Sequence, residues 1–134
     1  KLFSITESFG YKIWGCRTES ATMGTFPYKP FLFKSYVTAS CMGIINDSTY
    51  RFDERFIVKE DYEISLRHIN QYGGIIAARY FHWENSHWKD DGGCKDYRTQ
   101  KVEEDAIKLL KQLYPSMVTG ANKKNNKYTI KLTI

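Results

Sequence analysis

The sequence predicts an α/β or α+β sandwich in a single domain, and three observations carry that prediction. The chain has 134 residues, which is the length of one ordinary domain. Hydrophobic residues make up 42% of it and charged residues 26%, which is the balance of a packed globular protein and not of a disordered one. Segments with strand character alternate along the chain with segments of helical periodicity, as they do when helices cover a sheet.

The first third of the chain combines one short helix with two strands. We expect a helix over residues 4–9, ended by a glycine, and a strand over residues 11–15. Glycine and prolines among polar and aromatic residues predict a loop over residues 17–35. The apolar run over residues 36–45 predicts a buried strand. Gly43 within it marks a point where another group approaches the backbone closely.

The clearest helix begins at Glu60-Asp61 and ends at Gly73-Gly74. Asp61 is the expected N-cap, and the two glycines suit the C-terminal stop. Glu63 and Arg67 are spaced as an i,i+4 ion pair. Apolar residues recur at helical spacing, at Tyr62, Leu66, Ile69 and Tyr72. This pattern predicts a helix with one buried face.

A second helix begins after Thr99, the expected N-cap, and ends before Pro115. Its apolar residues again share one face, at Val102, Ala106, Leu109, Leu110 and Leu113. We expect a short buried strand between the two helices over residues 74–78, and a terminal strand over residues 128–134.

The positive charge is concentrated at one end of the chain. The formal net charge is +5, yet four lysines and no acid fall within residues 123–134. The first 122 residues therefore hold 16 cations against 15 acids, and residues 120–134 are predicted to form a basic terminal strand. A basic balance favours nucleic acid or phosphate partners, but a single charged segment is a weak indication of them.

The cysteines and the hydropathy indicate an intracellular protein. Three cysteines occur without a C-x-x-C, so the usual zinc-finger and redox spacings are absent and reduced thiols are expected. No apolar run has the length of a membrane span, and no signal peptide is visible. We therefore predict a cytoplasmic or nuclear location. Because Lys1 is not an initiator methionine, a fragment or a processed product is also expected.

The first run of chemically active residues is Phe52-Asp53-Glu54-Arg55, followed by Lys59-Glu60-Asp61-Tyr62. Adjacent carboxylates at a helix N-terminus stay ionised because the helix amides and Lys59 favour negative charge there. At the edge of a cleft, such a carboxylate accepts a proton from a hydroxyl nucleophile. The alternative interpretation is a helix cap beside a solvated acid.

Two further runs lie between the helices. Residues 82–91 contain two histidines and three acids, which are ligands for a divalent metal, although no H-E-x-x-H is present. Residues 92–99 place glycines and then Lys95 and Arg98 before a helix N-terminus, an arrangement that can hold a phosphate. The alternatives are a polar aromatic loop and a plain connecting loop.

The order of these runs resembles a known family. The sequences Ala39-Ser40-Cys41-Met42-Gly43-Ile44, Phe52-Asp53-Glu54-Arg55, Glu60-Asp61-Tyr62-Glu63-Ile64-Ser65-Leu66-Arg67 and Tyr72-Gly73-Gly74 resemble the acceptor half of a GT-A glycosyltransferase. The continuation through His87, Gly92-Gly93-Cys94 and Tyr97-Arg98-Thr99 is similar to the TET-associated glycosyltransferase family. The resemblance extends over about residues 10–115 and is densest over residues 39–99.

The resemblance implies a partial GT-A-like α/β/α sandwich, with a mixed sheet flanked by helices. It also implies metal-dependent transfer of a hexose from a nucleotide-sugar donor, expected to be a UDP-sugar, to an acceptor hydroxyl. The family's acceptor is a hydroxymethylated pyrimidine in DNA, so modified DNA is the expected acceptor. The expected cofactor is Mn²⁺ or Mg²⁺.

The resemblance also implies roles for individual residues. Glu60-Asp61 matches the family's "ED", in which the Asp is the base on the acceptor hydroxyl. His87 falls where a histidine completes the metal site, and Gly43 falls beside donor and acceptor. From charge and position, Arg98 and Lys95 are expected to neutralise the leaving nucleoside diphosphate.

One departure from the family is large. GT-A enzymes bind nucleotide and metal through an earlier half that ends in Asp-x-Asp, and this sequence contains no Asp-x-Asp. We therefore expect the C-terminal portion of a longer enzyme without its donor-binding half, or a chain that has lost activity. A non-catalytic GT-A-like module that binds DNA or protein through its aromatic loop and lysine tail is the alternative. A structural domain with no site is the third interpretation.

Overall fold

The computed structural model describes residues 1–18, 30–46, 51–83, 97–124 and 127–134. In chain order, the elements are α1 (Leu2–Ser8), β1 (Ile13–Thr18), β2 (Phe31–Leu32), β3 (Met42–Ile44), α2 (Glu60–Tyr72), β4 (Ile76–Trp83), α3 (Gln100–Leu113), β5 (Val118–Lys124) and β6 (Lys127–Leu132). A single 3₁₀ turn, Ala39–Cys41, leads into β3.

Four of the strands form one mixed sheet in the order β2-β4-β1-β3. The central strands β1 and β4 are parallel, with Trp14 opposite Ile76, and both edge strands are antiparallel to their neighbours. A parallel pair requires a crossover connection, and α2 lies within the chain that joins β1 to β4. The prediction of a mixed α/β domain is therefore confirmed. Strands β5 and β6 pair separately as an antiparallel hairpin.

Helix α2 lies between the four-stranded sheet and the layer formed by α3 and the hairpin. On the side that faces the sheet, Ile64 and Ile69 of the helix pack in a hydrophobic cluster. The other members of this cluster are Ile13, Val37, Ile75 and Ala77. The other side of α2 belongs to a second cluster formed by Phe56, Val58, Tyr62, Leu66, Ala106, Ile107, Leu110, Val118 and Ile130. Because apolar burial on both sides holds the helix, the position of its first turn is fixed by both layers.

The three predicted helices are confirmed, with one correction at an N-terminus. Gly73 ends α2 in the left-handed region at φ +81°, and the Thr99 hydroxyl caps α3 by accepting the Val102 N–H at 3.3 Å. The prediction that Asp61 caps α2 was wrong. Lys59 is the N-cap, at φ +67°, and Asp61 lies in the first turn.

The prediction of one continuous strand over residues 36–45 was wrong before Met42. The Val37 N–H there donates to the Ser65 hydroxyl at 3.1 Å and not to a neighbouring strand. Val37 is nevertheless fully buried because α2 packs on it. An apolar run indicates that a segment is buried but not that it pairs with a strand. Sequence periodicity therefore could not distinguish a buried strand from a buried segment outside the sheet.

Other predicted boundaries moved by a few residues. The predicted loop over residues 17–35 contains the end of β1 and the short strand β2, and residues 19–29 lie outside the described ranges. The strand predicted over residues 74–78 is Ile76–Trp83 in the structure. The prediction of one basic terminal strand over residues 120–134 was wrong, because that segment contains the end of β5 and all of β6. Among the described residues, none of the helices has both the length and the apolar character to cross a membrane.

Candidate functional site at the start of helix α2

Asp61 is the centre of the candidate site. It lies half-buried in the first turn of α2, where its carboxylate accepts the Tyr62 N–H at 2.9 Å. Burial raises the pKa of Asp61 to about 6, and the neighbouring charge of Glu60 adds to the rise, while the Tyr62 N–H, Lys59 and Arg98 oppose it. A carboxylate with a pKa near 6 is a stronger base than an ordinary aspartate and is still ionised at pH 7.

Ser65 holds the turn that carries Asp61. Its hydroxyl donates to the Asp61 carbonyl oxygen at 2.7 Å and accepts the Val37 N–H at 3.1 Å. Both Ser65 and Val37 are fully buried. The first turn of α2 is therefore fixed to the segment that precedes β3, and the Asp61 backbone has little freedom to move.

A buried ion-pair network flanks Asp61. Lys59 is 7% exposed and Glu103 of α3 is 4% exposed, and their Nζ and Oε2 atoms lie 3.2 Å apart as an ion pair. The second Glu103 oxygen accepts a hydrogen bond from Arg98 Nε, and Lys59 Nζ also donates to the Tyr128 carbonyl at 3.0 Å. One acid thus holds two cations next to Asp61, and both cations act on its pKa.

A pair of stacked tyrosine rings lies next to Lys59 of this network. The Tyr62 ring stacks on Tyr36 with 4.2 Å between centroids, and Lys59 Nζ lies 5.5 Å from the Tyr62 centroid. That distance is within the range of a cation–π contact. Burial, with a smaller contribution from Tyr36, raises the pKa of Tyr62, so its hydroxyl stays neutral at pH 7.

The raised pKa of Asp61 predicts an effect on stability that can be measured without an enzyme assay. We expect Asp61→Asn to raise the free energy of unfolding at pH 7 by about 1–2 kcal/mol, and the gain to shrink as the pH falls through 6 towards 4. The native pKa lies above the unfolded one. Between the two values the native state binds more protons, so ionising Asp61 at higher pH costs native stability. Asparagine keeps the oxygen that accepts the Tyr62 N–H.

Urea unfolding at pH 4 and pH 7 measures this difference. Asp105→Asn, which changes an exposed acid of α3, serves as the control and is expected to alter stability little at either pH. An Asp61→Asn effect that is equal at the two pH values would contradict the raised pKa.

Gly43 lies on β3 opposite Trp14 of β1. A Cβ at this position would lie 2.3–2.5 Å from three atoms of the indole ring, which leaves no room for a side chain. The expected close approach is confirmed, and the approaching group is Trp14. The buried indole Nε1 has no hydrogen-bond partner in the part of the chain that the structure describes. The described contacts do not join Gly43 to Asp61, and its substrate-binding role stays a prediction.

Gly43→Ala is expected to destabilise the fold by about 2 kcal/mol, because a rigid indole held by its neighbours has to move. Phe3 already packs edge-on against that indole, with 5.3 Å between ring centroids. The urea midpoint measures the loss. Gly43→Ala combined with Trp14→Phe, which removes the crowding atoms, should recover part of it relative to Trp14→Phe alone. The absence of any recovery would show that the crowding is not the cause.

Asp53 and its neighbours form a turn and not a part of the site. The Asp53 carboxylate accepts hydrogen bonds from the backbone N–H and the guanidinium of Arg55, and these bonds lower the pKa of Asp53 to about 2. Arg67 pairs with Glu63 at 2.8 Å as predicted, and it also donates to the Arg51 carbonyl. The bond to the Arg51 carbonyl holds this turn against α2 at Arg67, which lies between one and two helical turns beyond Asp61.

Two predicted site residues, His87 and Lys95, lie outside the described ranges, so the structure brings together only Glu60, Asp61 and Arg98. Within the described ranges, no three His, Cys, Asp or Glu side chains form a group that could hold a metal ion. The residues around Asp61 therefore do not fit a divalent metal by themselves, and no chemical step is assigned to one. The metal and its ligand His87 stay predictions.

An apolar hollow of about 680 Å³ lies away from Asp61. It is lined by Tyr11, Pro30, Phe31, Leu32, Phe33, Lys34 and Gly73. Gly73 follows the C-terminal end of α2, whereas Asp61 is in the first turn, roughly 18 Å along the helix axis. The lining residues that the structure describes include no carboxylate and no histidine, so we assign the chemistry to Asp61 and not to the hollow.

Sequence reasoning missed the buried role of Glu103. One signal was present, because Glu103 lies three, four and seven residues before Ala106, Ile107 and Leu110, on the buried stripe of that helix. An acid on an apolar stripe indicates a buried partner, here Lys59.

No protein-family model matches this chain, and neither a curated protein nor a solved structure matches it. The geometry around Asp61 and the motif order in the sequence are therefore the two indications of function.

Proposed function

We propose that this chain is the acceptor-side portion of a metal-dependent nucleotide-sugar glycosyltransferase. It transfers a hexose from a UDP-sugar to an acceptor hydroxyl, with hydroxymethylated pyrimidine in DNA as the acceptor. We also propose that the complete enzyme has a donor-binding half, which would carry the Asp-x-Asp that this sequence lacks. The proposal also assigns the sheet and helices to a GT-A-like fold, and the order of the sequence motifs supports that assignment.

The observation that carries the proposal is the environment of Asp61. Its carboxylate is half-buried, its pKa is raised to about 6, and its backbone is held by Ser65. A general base needs a pKa close to the working pH and a fixed position. A simple helix cap needs neither feature, and Asp61 is not the cap of α2.

The proposed reaction is a displacement at the anomeric carbon of the sugar. The acceptor oxygen attacks that carbon while Asp61 takes the hydroxyl proton, and the bond between the carbon and the diphosphate oxygen breaks. The bonding electrons leave with the nucleoside diphosphate, whose negative charge increases. Arg98, already held by Glu103, supplies positive charge near Asp61, and Lys95 is the second cation proposed for this role.

The direct test is transfer of labelled hexose from UDP-hexose, in the presence of Mn²⁺, by the full-length protein that carries these residues. DNA containing 5-hydroxymethylcytosine is the acceptor, and the same DNA with unmodified cytosine is the matched control. Label is expected only in the hydroxymethylated DNA. Transfer to neither DNA would overturn the proposed acceptor, and failure with hydroxyl acceptors of every class would overturn the activity.

One observation favours a second candidate, a module that binds DNA without catalysis. The α3–hairpin layer presents exposed lysines from both of its elements, among them Lys101, Lys108, Lys111, Lys123 and Lys131. Lys123 Nζ lies 5.4 Å from the Tyr128 ring, and Tyr128 Oη donates to Glu104 of α3 at 2.6 Å. Helix and hairpin therefore meet at this contact, and exposed lysines on both elements supply the positive charge that phosphates bind.

For this second candidate, Lys123→Ala with Lys131→Ala is expected to weaken duplex DNA binding. The slope of log K against log salt should become shallower by about one for each phosphate that the variant no longer neutralises. Lys34→Ala, an exposed lysine beside the apolar hollow, is the control and should leave the slope unchanged. Equal slopes for all three proteins would remove this surface as a DNA site.

A further inference from the structure

Cys16 and Cys41 lie one residue beyond the last paired residues of β1 and β3, Gly15 and Met42. Strands β1 and β3 are antiparallel with Gly15 opposite Met42, and the same register continued by one residue places Cys16 opposite Cys41. Directly opposed residues of an antiparallel pair have Cβ atoms about 4.5–5.5 Å apart. Disulfides join residues with Cβ atoms about 3.5–4.5 Å apart, so a small shift is sufficient.

Other contacts show that the two segments are tightly apposed at this point. The Cys41 side chain is close enough to Cys16 to add to the rise in the pKa of Cys16 that burial causes, and both residues are free cysteines. A Cβ on Gly15 would lie 2.9 Å from the Cys41 carbonyl oxygen, and the Thr38 hydroxyl donates to the Cys16 carbonyl at 3.4 Å. The 3₁₀ turn that carries Cys41 is therefore held directly against β1.

We propose that Cys16 and Cys41 form a reversible disulfide when the protein meets a low-molecular-weight disulfide such as oxidised glutathione. The inference is independent of the proposed function, because it uses no residue of the candidate site. The bond would tie the 3₁₀ turn to β1 and close a loop over residues 17–40.

The exchange occurs in two balanced steps. The thiolate of the half-buried Cys41 attacks one sulfur of the small disulfide, forms a mixed disulfide and expels one glutathione thiolate. Cys16 then loses its proton to solvent, and its thiolate attacks the Cys41 sulfur and expels the second glutathione. The two protein thiols lose two electrons and two protons, and one glutathione disulfide becomes two thiols.

The order of attack follows from the environment of the two thiols. Cys16 is buried, and this burial together with the Cys41 contact raises the pKa of Cys16 to about 11. Since the thiolate is the nucleophile, Cys16 is the slower one to react with a reagent from solvent. It meets the mixed disulfide only after Cys41 has brought that bond next to it.

The experiment treats the folded, reduced chain with oxidised glutathione, blocks remaining thiols with N-ethylmaleimide and identifies linked peptides by mass spectrometry. Cys94→Ser is the background that removes the third cysteine. We expect a Cys16–Cys41 peptide in the wild type and in Cys94→Ser. In concentrated urea, the wild type should lose this preference and give mixed pairings.

Two variants and one further measurement complete the test. Cys16→Ser should stop at a glutathione adduct on Cys41, and Cys41→Ser should react little at Cys16. Because the bond closes a loop, the oxidised Cys94→Ser protein should unfold at higher urea than its reduced form. A stable glutathione adduct on Cys41 in the Cys94→Ser protein, or preferred pairing with Cys94 in the folded wild type, would overturn the proposal. A linkage that lowers the urea midpoint would also overturn it.

Discussion

Asp61→Asn is expected to reduce hexose transfer by the full-length protein roughly 10²- to 10⁴-fold, the usual contribution of a general base. The substitution removes the basic oxygen but keeps the size of the side chain and the acceptor for the Tyr62 N–H. The same variant is expected to be more stable than the wild type at pH 7, because burial raises the pKa of Asp61. Loss of the fold therefore cannot explain a loss of turnover.

The pH dependence of transfer gives an independent check on the same role. Since the base has to be ionised to accept a proton, kcat/KM should rise with pH through about 6, the pKa of Asp61. Glu60→Gln is the matched control, because it removes the neighbouring charge without removing the base, and its effect on the rate should be much smaller. That substitution should also shift the rise to lower pH, since the Glu60 charge contributes to the raised pKa. Undiminished turnover in Asp61→Asn would remove Asp61 from the mechanism.

Glu103→Ala is expected to destabilise the protein by about 3–5 kcal/mol, because it leaves the Lys59 ammonium buried without its counter-charge. Lys59 is held only partly by the Tyr128 carbonyl, and it sits in the left-handed region at φ +67°, which is itself costly for a residue with a side chain. The Glu103 ion pair is thus a main reason why the chain keeps this conformation before α2. Urea unfolding measures the loss.

Glu104→Ala is the control for that prediction. Glu104 is the next residue on α3, is exposed and binds Tyr128 and Gln100, so its removal should cost much less stability than the removal of Glu103. The double variant Lys59→Met with Glu103→Leu should recover much of the loss, because an apolar pair no longer leaves an unpaired buried charge. If Glu103→Ala and Glu104→Ala had equal effects, the buried network would not be a stabilising element.

The parts of the fold that could be predicted are those that local chemistry decides. Thr99 caps α3 because its hydroxyl meets an N–H three residues ahead, and Gly73 ends α2 because it has no Cβ to oppose a positive φ. The Glu63–Arg67 pair follows from helical spacing alone. Each of these features involves residues within a few positions of one another, so the sequence contains the whole interaction.

The missed features join residues that are distant in sequence. Lys59 replaced Asp61 as the N-cap of α2, and its side chain is held by Glu103, 44 positions along the chain. Residues 36–41 were predicted as strand because they are apolar, yet the Val37 N–H bonds to Ser65 on α2. Neither interaction leaves a periodic pattern in the sequence, since nothing local records which element packs against which.

The sequence by itself determined a mixed α/β domain, the three helices and the presence of acids at the start of α2, because helix periodicity, caps and apolar runs are local properties. Only the tertiary structure decided that Asp61 is half-buried, that Lys59 and Arg98 meet at Glu103 beside it, and that Cys16 lies close to Cys41. The physical reason is that burial and electrostatics depend on packing between α2, α3 and the sheet. A pKa near 6 is therefore a property of the assembled fold and not of the Glu60-Asp61 motif.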